Sequence, residues 1–103
     1  MRVFKVDSKY DAELKIWKVD SRYDADVAVF VVSSQWDDEG ELLWYNVPSK
    51  YDEALKIYFV ESQYDADLKV QFVPSKFDVA WYNEEKKHLL VNNSKSLEDQ
   101  LKE

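Results

Sequence analysis

The chain has 103 residues, 46% of them hydrophobic and 16% aromatic, and a formal net charge of −7. This length corresponds to one small domain, and the aromatic content supplies enough large apolar side chains for its core. The sequence has no cysteine, which excludes disulfides, thiolate metal sites and a cysteine nucleophile. The acidic balance argues against a nucleic-acid partner, because such binding requires a basic patch that displaces counterions from phosphate.

The sequence contains no segment that predicts membrane insertion or secretion. The longest uninterrupted apolar run, Val27 to Val32, has six residues, whereas a membrane span needs about 20. The opening residues MRVFKVD contain no apolar stretch of the length that a secretory signal requires. We therefore expect a cytoplasmic protein with no membrane partner.

Seven short runs rich in Val, Ile, Leu and aromatic residues predict β-strands, so the predicted fold class is mainly β. In chain order the runs are RVFKV from Arg2, LKIWKV from Leu14, VAVFVV from Val27, LLWYNV from Leu42, LKIYFV from Leu55, LKVQFV from Leu68 and a shorter VAWY from Val79. These lengths suit strands and are too short for most helices. Taken alone, this periodicity is typical of a six- or seven-stranded meander.

A motif of the form Val-x-Ser-x-aromatic-Asp recurs six times and makes the chain a tandem repeat. Its copies begin at Val6, Val19, Val32, Val47, Val60 and Val73, and successive serines are 13, 13, 15, 13 and 13 residues apart. The two extra residues fall within DDEGE, between the third and fourth copies. Three units are thus followed by three more, which predicts two halves with a pseudo-twofold relation.

The motif predicts a tight turn at negative φ, because the chain has a single glycine, Gly40, to supply positive φ. Ser-x-x-Asp has the form of a capping box, in which the serine side chain accepts from a backbone N–H and the aspartate reaches back to the serine N–H. Each serine should open one helical or 3-10 turn. Pro48 and Pro74 should mark strand ends, because proline cannot donate to a sheet ladder. The predicted caps are Ser8, Ser21, Ser34, Ser49, Ser62 and Ser75, with Asp11, Asp24, Asp37, Asp52, Asp65 and Asp78.

The fifth position of the motif is always aromatic and accepts tyrosine, tryptophan and phenylalanine alike. A position that accepts all three is selected for the bulk of the ring, so we expect these side chains in the hydrophobic core. The alternative is an exposed aromatic row that recognises a partner. The six residues are Tyr10, Tyr23, Trp36, Tyr51, Tyr64 and Phe77.

No constellation of residues predicts catalysis, and we expect a protein that is not an enzyme and needs no cofactor. No histidine or lysine base is in register with the six serines, and the single histidine, His88, lies beyond the repeat. The acid pairs Asp24 with Asp26 and Asp65 with Asp67 carry the oxygen ligands that Ca²⁺ prefers, but a solvated surface is the better explanation. DDEGE lacks the ligand spacing of an EF-hand.

The segment from Asn83 onward departs from the repeat. We place the repeat-built β domain at residues 1–91 and a C-terminal tail at residues 92–103. Within the tail, SLEDQLKE predicts a short amphipathic helix, because Ser96 and Asp99 form another capping-box pattern and Leu97 and Leu101 lie on one helical face.

The repeat continuations SKYDAELKI, SRYDADVAV, SKYDEALKI and SQYDADLKV resemble the septoil-knot domain family of small, mostly bacterial proteins. The resemblance covers roughly residues 3 to 81, and the chain departs from the repeat at Gln35 to Asp38 and at Phe77 to Ala80. It implies a strand-rich domain whose backbone is tied in a seven-crossing torus knot, and it carries over no functional residue. A knotted chain should unfold slowly, because a terminus must be withdrawn through loops.

Two functions are compatible with these observations. The first is a compact, monomeric, non-catalytic domain of undetermined role, whose useful property is kinetic or mechanical stability. The second is a protein-interaction module that presents a strand edge or an aromatic row.

Overall fold

The structure, a computed structural model, describes residues 1–37 and 40–90, which contain all seven predicted strands. They are β1 (Arg2–Lys5), β2 (Leu14–Val19), β3 (Val27–Val32), β4 (Leu43–Asn46), β5 (Leu55–Phe59), β6 (Leu68–Phe72) and β7 (Ala80–Trp81). Short 3-10 helices lie at Lys9–Asp11, Gln35–Asp37, Gln63–Asp65, Lys76–Asp78 and Glu84–Lys86. The mainly β fold with 3-10 turns is confirmed, and β4 and β6 end before Pro48 and Pro74 as predicted.

Six of the strands form a closed, all-parallel barrel in the order β4-β1-β5-β2-β6-β3, with β3 pairing back onto β4. β7 joins β3 as an antiparallel strand, with Val27 opposite Trp81. The meander is therefore wrong, because a meander pairs consecutive strands antiparallel. The repeat spacing predicts where the strands lie, but it does not predict which strands pair, because every unit has a strand edge of similar sequence.

The chain travels round the barrel twice. β1, β2 and β3 make the first circuit, and β4 begins the second circuit directly beside β3. β5 then lies between β1 and β2, and β6 lies between β2 and β3. The strands of the second half, β4, β5 and β6, therefore alternate with those of the first half round the barrel. The three units of each half correspond to one circuit.

Each connection returns from the carboxyl end of one strand to the amino end of the next. Parallel strands are usually joined by crossovers of about a dozen residues or more that contain an α-helix. Here residues 20–26 join β2 to β3 across β6, with a single tight turn in place of the helix. The connections thus form a thin layer on the outside of the barrel, because its inside is filled by the core.

Alternate strand residues point into the barrel, as in other closed sheets. The central layer is Val3, Ile16, Val29, Trp44, Ile57 and Val70, all of them buried. The layer toward the amino ends of the strands is Leu14, Val27, Leu55 and Leu68, with Met1 and Leu42 partly buried against the same core. Trp44 meets the ring of Phe72 edge-on, with 5.9 Å between ring centroids.

The segment that follows the repeat closes the amino end of the barrel. β7 carries the chain beyond the amino end of β3, where the N–H groups of Tyr82 and Asn83 both donate to the Asp26 carbonyl oxygen at 2.9 Å. Residues 88–90 are helical, and Leu90 is fully buried in the core cluster. The predicted tail helix in SLEDQLKE lies outside the described residues. No helix in the described part of the chain is long and apolar enough to cross a membrane.

Candidate functional site

The six motif serines build one kind of turn. Each serine Oγ accepts a hydrogen bond from the N–H of the motif aromatic residue, at 3.2 or 3.3 Å. Each serine carbonyl accepts from the N–H of the motif aspartate, at 3.0 or 3.1 Å, which closes the turn. Among the described residues, only Gly40 has a positive φ, at 87°. The serine hydroxyls are therefore engaged in holding the backbone, as caps and ST-turns do.

The motif aspartates contribute through their backbone. The capping box predicts that each carboxylate reaches back to the serine N–H, but the described residues contain no such bond, so this part of the prediction is wrong. The reason is that the 3-10 turn ends at the aspartate. The residue that follows, such as Ala12 or Ala66, is already extended, with φ −84° and ψ 141°. The aspartate side chains consequently lie in solvent.

The second acid of three repeats has a structural role that the sequence analysis did not assign. Asp26 donates its N–H to the Lys69 carbonyl oxygen at 2.8 Å and accepts the Lys69 N–H through Oδ2 at 2.8 Å. The equivalent pairs are Asp67 with Lys15 and Glu13 with Lys56. Each acid clips the amino end of its own strand to the strand beside it. We call these three residues the clip acids.

The two acids of the pair Asp24 and Asp26 lie in different surroundings. Asp24 is exposed, whereas Asp26 is held by Lys69 and also accepts from the Asn83 side-chain amide at 3.1 Å. Within the described ranges, no group of three or more His, Cys, Asp or Glu is placed to hold a metal ion. His88 is exposed, and its Nδ1 lies 2.9 Å from the Glu85 carbonyl oxygen.

The motif aromatic residues are exposed, so their prediction as core residues is wrong. Their exposed fractions run from 79% at Trp36 to 89% at Tyr64. The interior is already filled by alternate residues of the strands, and the rings sit on connections that lie outside the barrel. The six corrected residues are Tyr10, Tyr23, Trp36, Tyr51, Tyr64 and Phe77. We call them the aromatic band.

The topology distributes the aromatic band around the side of the barrel. Each ring lies on a connection, and five of the six connections cross the strand between the two that they join. Two surface depressions agree with this arrangement, one shared by Trp36 and Lys76 and the other by Lys9 and Asp65. Starting from the connection over β1, the order round the barrel is Tyr51, Tyr10, Tyr64, Tyr23, Phe77 and Trp36.

Four rings of the band contact the basic residue that precedes them. The distances from the cationic group to the ring centroid lie between 5.1 and 5.4 Å, within the usual range of cation–π contacts. At the other two copies the preceding residue is Gln35 or Gln63, and the rings of Trp36 and Tyr64 are exposed all the same. The cation–π contact therefore does not explain why the rings are exposed.

A second set of equivalent positions surrounds the carboxyl end of the barrel. It consists of the last inward-pointing residue of each strand, immediately before each motif valine. These residues, Lys5, Lys18, Val31, Asn46, Phe59 and Phe72, line a cavity of about 430 Å³. We call them the mouth. In the sequence, these positions differ from copy to copy, whereas the next residue is always the motif valine.

Comparison with known proteins agrees with the repeat and with its winding. A sequence model of the 7(1) septoil knot domain matches residues 1–83, which contain all six motif copies and all seven strands. No curated protein and no solved structure matches the chain. The resemblance to the septoil-knot family is thereby confirmed over residues 1–83. The chain belongs to the 7(1) septoil knot domain family.

Proposed function

We propose that this knotted domain is a cytoplasmic, monomeric protein-binding module, not an enzyme, and that the aromatic band is its contact surface. The observation that carries the proposal is the exposure of all six motif rings, each at least 79% exposed. The partner is another protein whose surface has pockets for aromatic side chains. Catalysis is not part of the proposal, since the repeated serines already serve as caps.

The fold itself does not require aromatic side chains in the band. The turn is held by the serine hydroxyl and by backbone groups, which any residue except proline at the fifth motif position would leave in place. Single exposed apolar residues are common on protein surfaces. Six rings at equivalent exposed positions are a different case, because the same costly exposure is repeated in every unit. A shared binding role accounts for the repetition.

Aromatic rings in this setting suit recognition of a protein. Tyrosine and tryptophan bury a large area with few rotatable bonds, and they are enriched among the residues that dominate binding energy at interfaces. An aspartate follows every ring, and a lysine or arginine precedes four of them, so charges of both signs border the band. The net charge of −7 disfavours the phosphate backbone of a nucleic acid as the partner.

Kinetic stability is the second part of the proposal. β5 and β6 lie between strands of the first circuit, so the threaded loops hinder the separation of the strands, and the knot is untied only when a terminus is withdrawn. A framework that opens rarely holds the six turns in fixed positions. Preorganised contact residues lose less conformational entropy on binding, which favours affinity.

Unfolding kinetics test this second part. We expect tryptophan fluorescence in urea to give an unfolding rate, extrapolated to water, of about 10⁻⁵ s⁻¹ or slower, at the slow end of small domains. Buried Trp44 supplies the core signal. A rate near 1 s⁻¹ would show that the threading does not slow unfolding, and the stability proposal would then fail while the binding proposal stood.

The band is tested by removing three rings that are neighbours round the barrel. The full chain and its Tyr10→Ser, Tyr64→Ser, Tyr23→Ser triple variant are used to capture proteins from an extract of the source organism. Each captured protein is then purified, and its affinity for both chains is measured. We expect the triple variant to lose at least about thirtyfold in affinity, as expected when interface anchors are truncated.

The matched control keeps the rings and removes the cations beside them. Lys9→Gln with Arg22→Gln introduces the side chain that other copies carry at this position, as at Gln35 and Gln63. We expect this control to change the affinity by less than threefold. Equal binding by the triple variant and the parent chain would exclude the band as the contact surface.

A further inference from the structure

We infer that the mouth is a binding site for a small carboxylate that carries an aromatic or aliphatic body. The mouth lies at the carboxyl end of the barrel, whereas the aromatic band lies on its side, so this inference does not depend on the proposed function. No clip acid and no motif serine is among the residues that line the cavity.

Cationic and aromatic side chains alternate over four consecutive positions of the mouth. In the order of the strands from β4 to β3 the residues are Asn46, Lys5, Phe59, Lys18, Phe72 and Val31. Trp44 and Ile57 from the central layer also line the cavity. Three side chains with donors, Asn46, Lys5 and Lys18, thus stand above an apolar floor, and the cavity volume of about 430 Å³ lies in the range of small-molecule sites.

The two mouth lysines have no carboxylate partner among the described residues. Neither forms an ion pair there, and the Lys5 Nζ lies 5.5 Å from the centroid of the Phe59 ring. No acid lines the cavity, although Asp7 and Asp20 follow the lysines closely in the chain. In a sequence with 21 acidic and 14 basic residues, two lysines that share an acid-free apolar cavity form a distinct local site for negative charge.

These groups select the chemical class of the ligand. An ammonium group donates charge-assisted hydrogen bonds to a carboxylate, and the asparagine amide adds a neutral donor. The phenylalanine rings and the lysine stems cover an apolar body. Two lysines repel a metal ion or an ammonium ligand. A monoanion with one or two rings, or a short alkyl chain, satisfies all of these groups together.

Variation within the repeat is compatible with a site at the mouth. A structural device must be present in every copy, and the motif valine and serine recur six times without change. The central layer keeps to apolar side chains throughout. A ligand needs each recognition group only once, and the six mouth positions carry four residue types. Exposed positions elsewhere vary as much, such as the second motif position with Asp7, Ser33 and Pro48, so the variation allows a site at the mouth and the lysines locate it. The carboxyl ends of parallel strands are also where closed and open α/β sheets place their ligands.

The probe for the experiment is 2-naphthoate, and its neutral counterpart is 2-naphthamide. Both are titrated into the isotopically labelled full chain, and backbone amide shifts are recorded by NMR. We expect 2-naphthoate to shift amides of the mouth, such as those of Lys5, Lys18 and Phe72. We expect the amide to bind at least about tenfold more weakly, because charge-assisted hydrogen bonds are lost.

Variants locate the charge requirement. Lys5→Gln with Lys18→Gln should weaken 2-naphthoate at least tenfold, while the affinity for 2-naphthamide stays within twofold. The matched control is Lys56→Gln, since Lys56 is exposed and points outward from β5, and it should change neither affinity by more than twofold. Unchanged amide shifts outside the mouth confirm that each variant is folded.

Three outcomes would overturn the inference. The first is an absence of shifts at the mouth at 2-naphthoate concentrations up to about 1 mM, which is weak even for a small ligand. The second is equal affinity for 2-naphthoate and 2-naphthamide, which would leave an apolar cavity with no preference for charge. The third is a set of shifts confined to the aromatic band, which would place the ligand on the side of the barrel.

Discussion

The two ends of the barrel are made from equivalent positions of one repeat, and they differ in chemistry. At the amino end the inward positions are all apolar, and Leu90 is buried beside them. At the carboxyl end the inward positions are two lysines, an asparagine, a valine and two phenylalanines around an open cavity. Val31 is 40% exposed there, whereas Val27, which points inward from the amino end of the same strand, is fully buried.

The difference shows where a repeat protein holds information about function. Positions that pack inside the barrel meet an apolar environment in each copy, so their side chains stay apolar. Positions that meet solvent or a ligand are released from that constraint. The mouth follows this rule by varying. The aromatic band does not, because its rings recur although they are exposed, and for this reason we assign it a binding role as well.

Leu90→Ala is expected to have the largest effect of the changes that test the contrast between the ends. Leu90 is fully buried, and truncating a buried leucine removes apolar contacts and leaves a cavity. We expect a loss of about 2–5 kcal/mol in the free energy of unfolding. The measurement is equilibrium unfolding in urea, incubated until the unfolding and refolding curves coincide.

The control for this change is Val31→Ala at the mouth. Val31 is already 40% exposed, so the truncation removes little buried area, and we expect a loss below about 1 kcal/mol. If Val31→Ala cost as much as Leu90→Ala, the two ends would be equally packed, and the contrast between them would disappear.

Asp26→Ala should have the next largest effect, because it removes a clip at the amino end of β3. The Lys69 N–H and the Asn83 side-chain amide both lose their carboxylate acceptor. We expect a loss of about 1–3 kcal/mol, since a donor is left without its partner. Asp24→Ala is the matched control two residues away, and its exposed side chain should make it neutral within about 0.5 kcal/mol. Similar losses in both variants would mean that the clip does not stabilise the sheet.

The sequence predicts the strands and turns of this fold because both depend on local chemistry. The runs from Leu14, Val27 and Leu68 carry β-branched and aromatic residues, and each becomes a strand. Ser21 and its equivalents act on their own turns, within two or three residues. Strand pairing depends instead on contacts between distant units with nearly the same sequence. The knot was therefore accessible only through resemblance to a family, and the parallel order was not predicted.

The candidate sites were harder to predict, for two different physical reasons. The ring of Tyr23 has the bulk of a core residue, and only the path of the connection on the outer surface of the barrel exposes it. Lys18 and Phe59 lie far apart in the chain, and only the winding makes them neighbours at the mouth. The repeat alignment alone does show that the position before the motif valine varies.

Ser21→Ala should have a smaller effect than the clip variant, because the turn at Ser21 is largely exposed. The change removes the acceptor for the Tyr23 N–H, now at 3.2 Å, and we expect a loss of about 1 kcal/mol. Tyr23→Ser in the same turn should be neutral within about 0.5 kcal/mol, because an exposed ring contributes little to folding. Urea unfolding of the two variants separates the structural residue of the motif from the ring that we assign to binding. A larger loss for Tyr23→Ser would show that the ring is needed for the fold and would remove the main argument for the aromatic band.

Lys5→Gln with Lys18→Gln should change stability least of all. The lysines meet no acid at the mouth, so their removal breaks no ion pair among the described residues, and the shorter glutamine keeps part of the stem. The contact of Lys5 with Phe59 is partly exposed and worth little. We expect the free energy of unfolding to stay within about 0.5 kcal/mol of the parent chain, as for most surface substitutions. A gain in stability would also support a ligand site. It would show that the two lysines repel each other in the folded chain and are therefore not there to stabilise it. A loss of more than about 1 kcal/mol would instead show that the lysine stems pack as part of the barrel. The two ends of the barrel would then differ in composition, but both would serve to stabilise the fold.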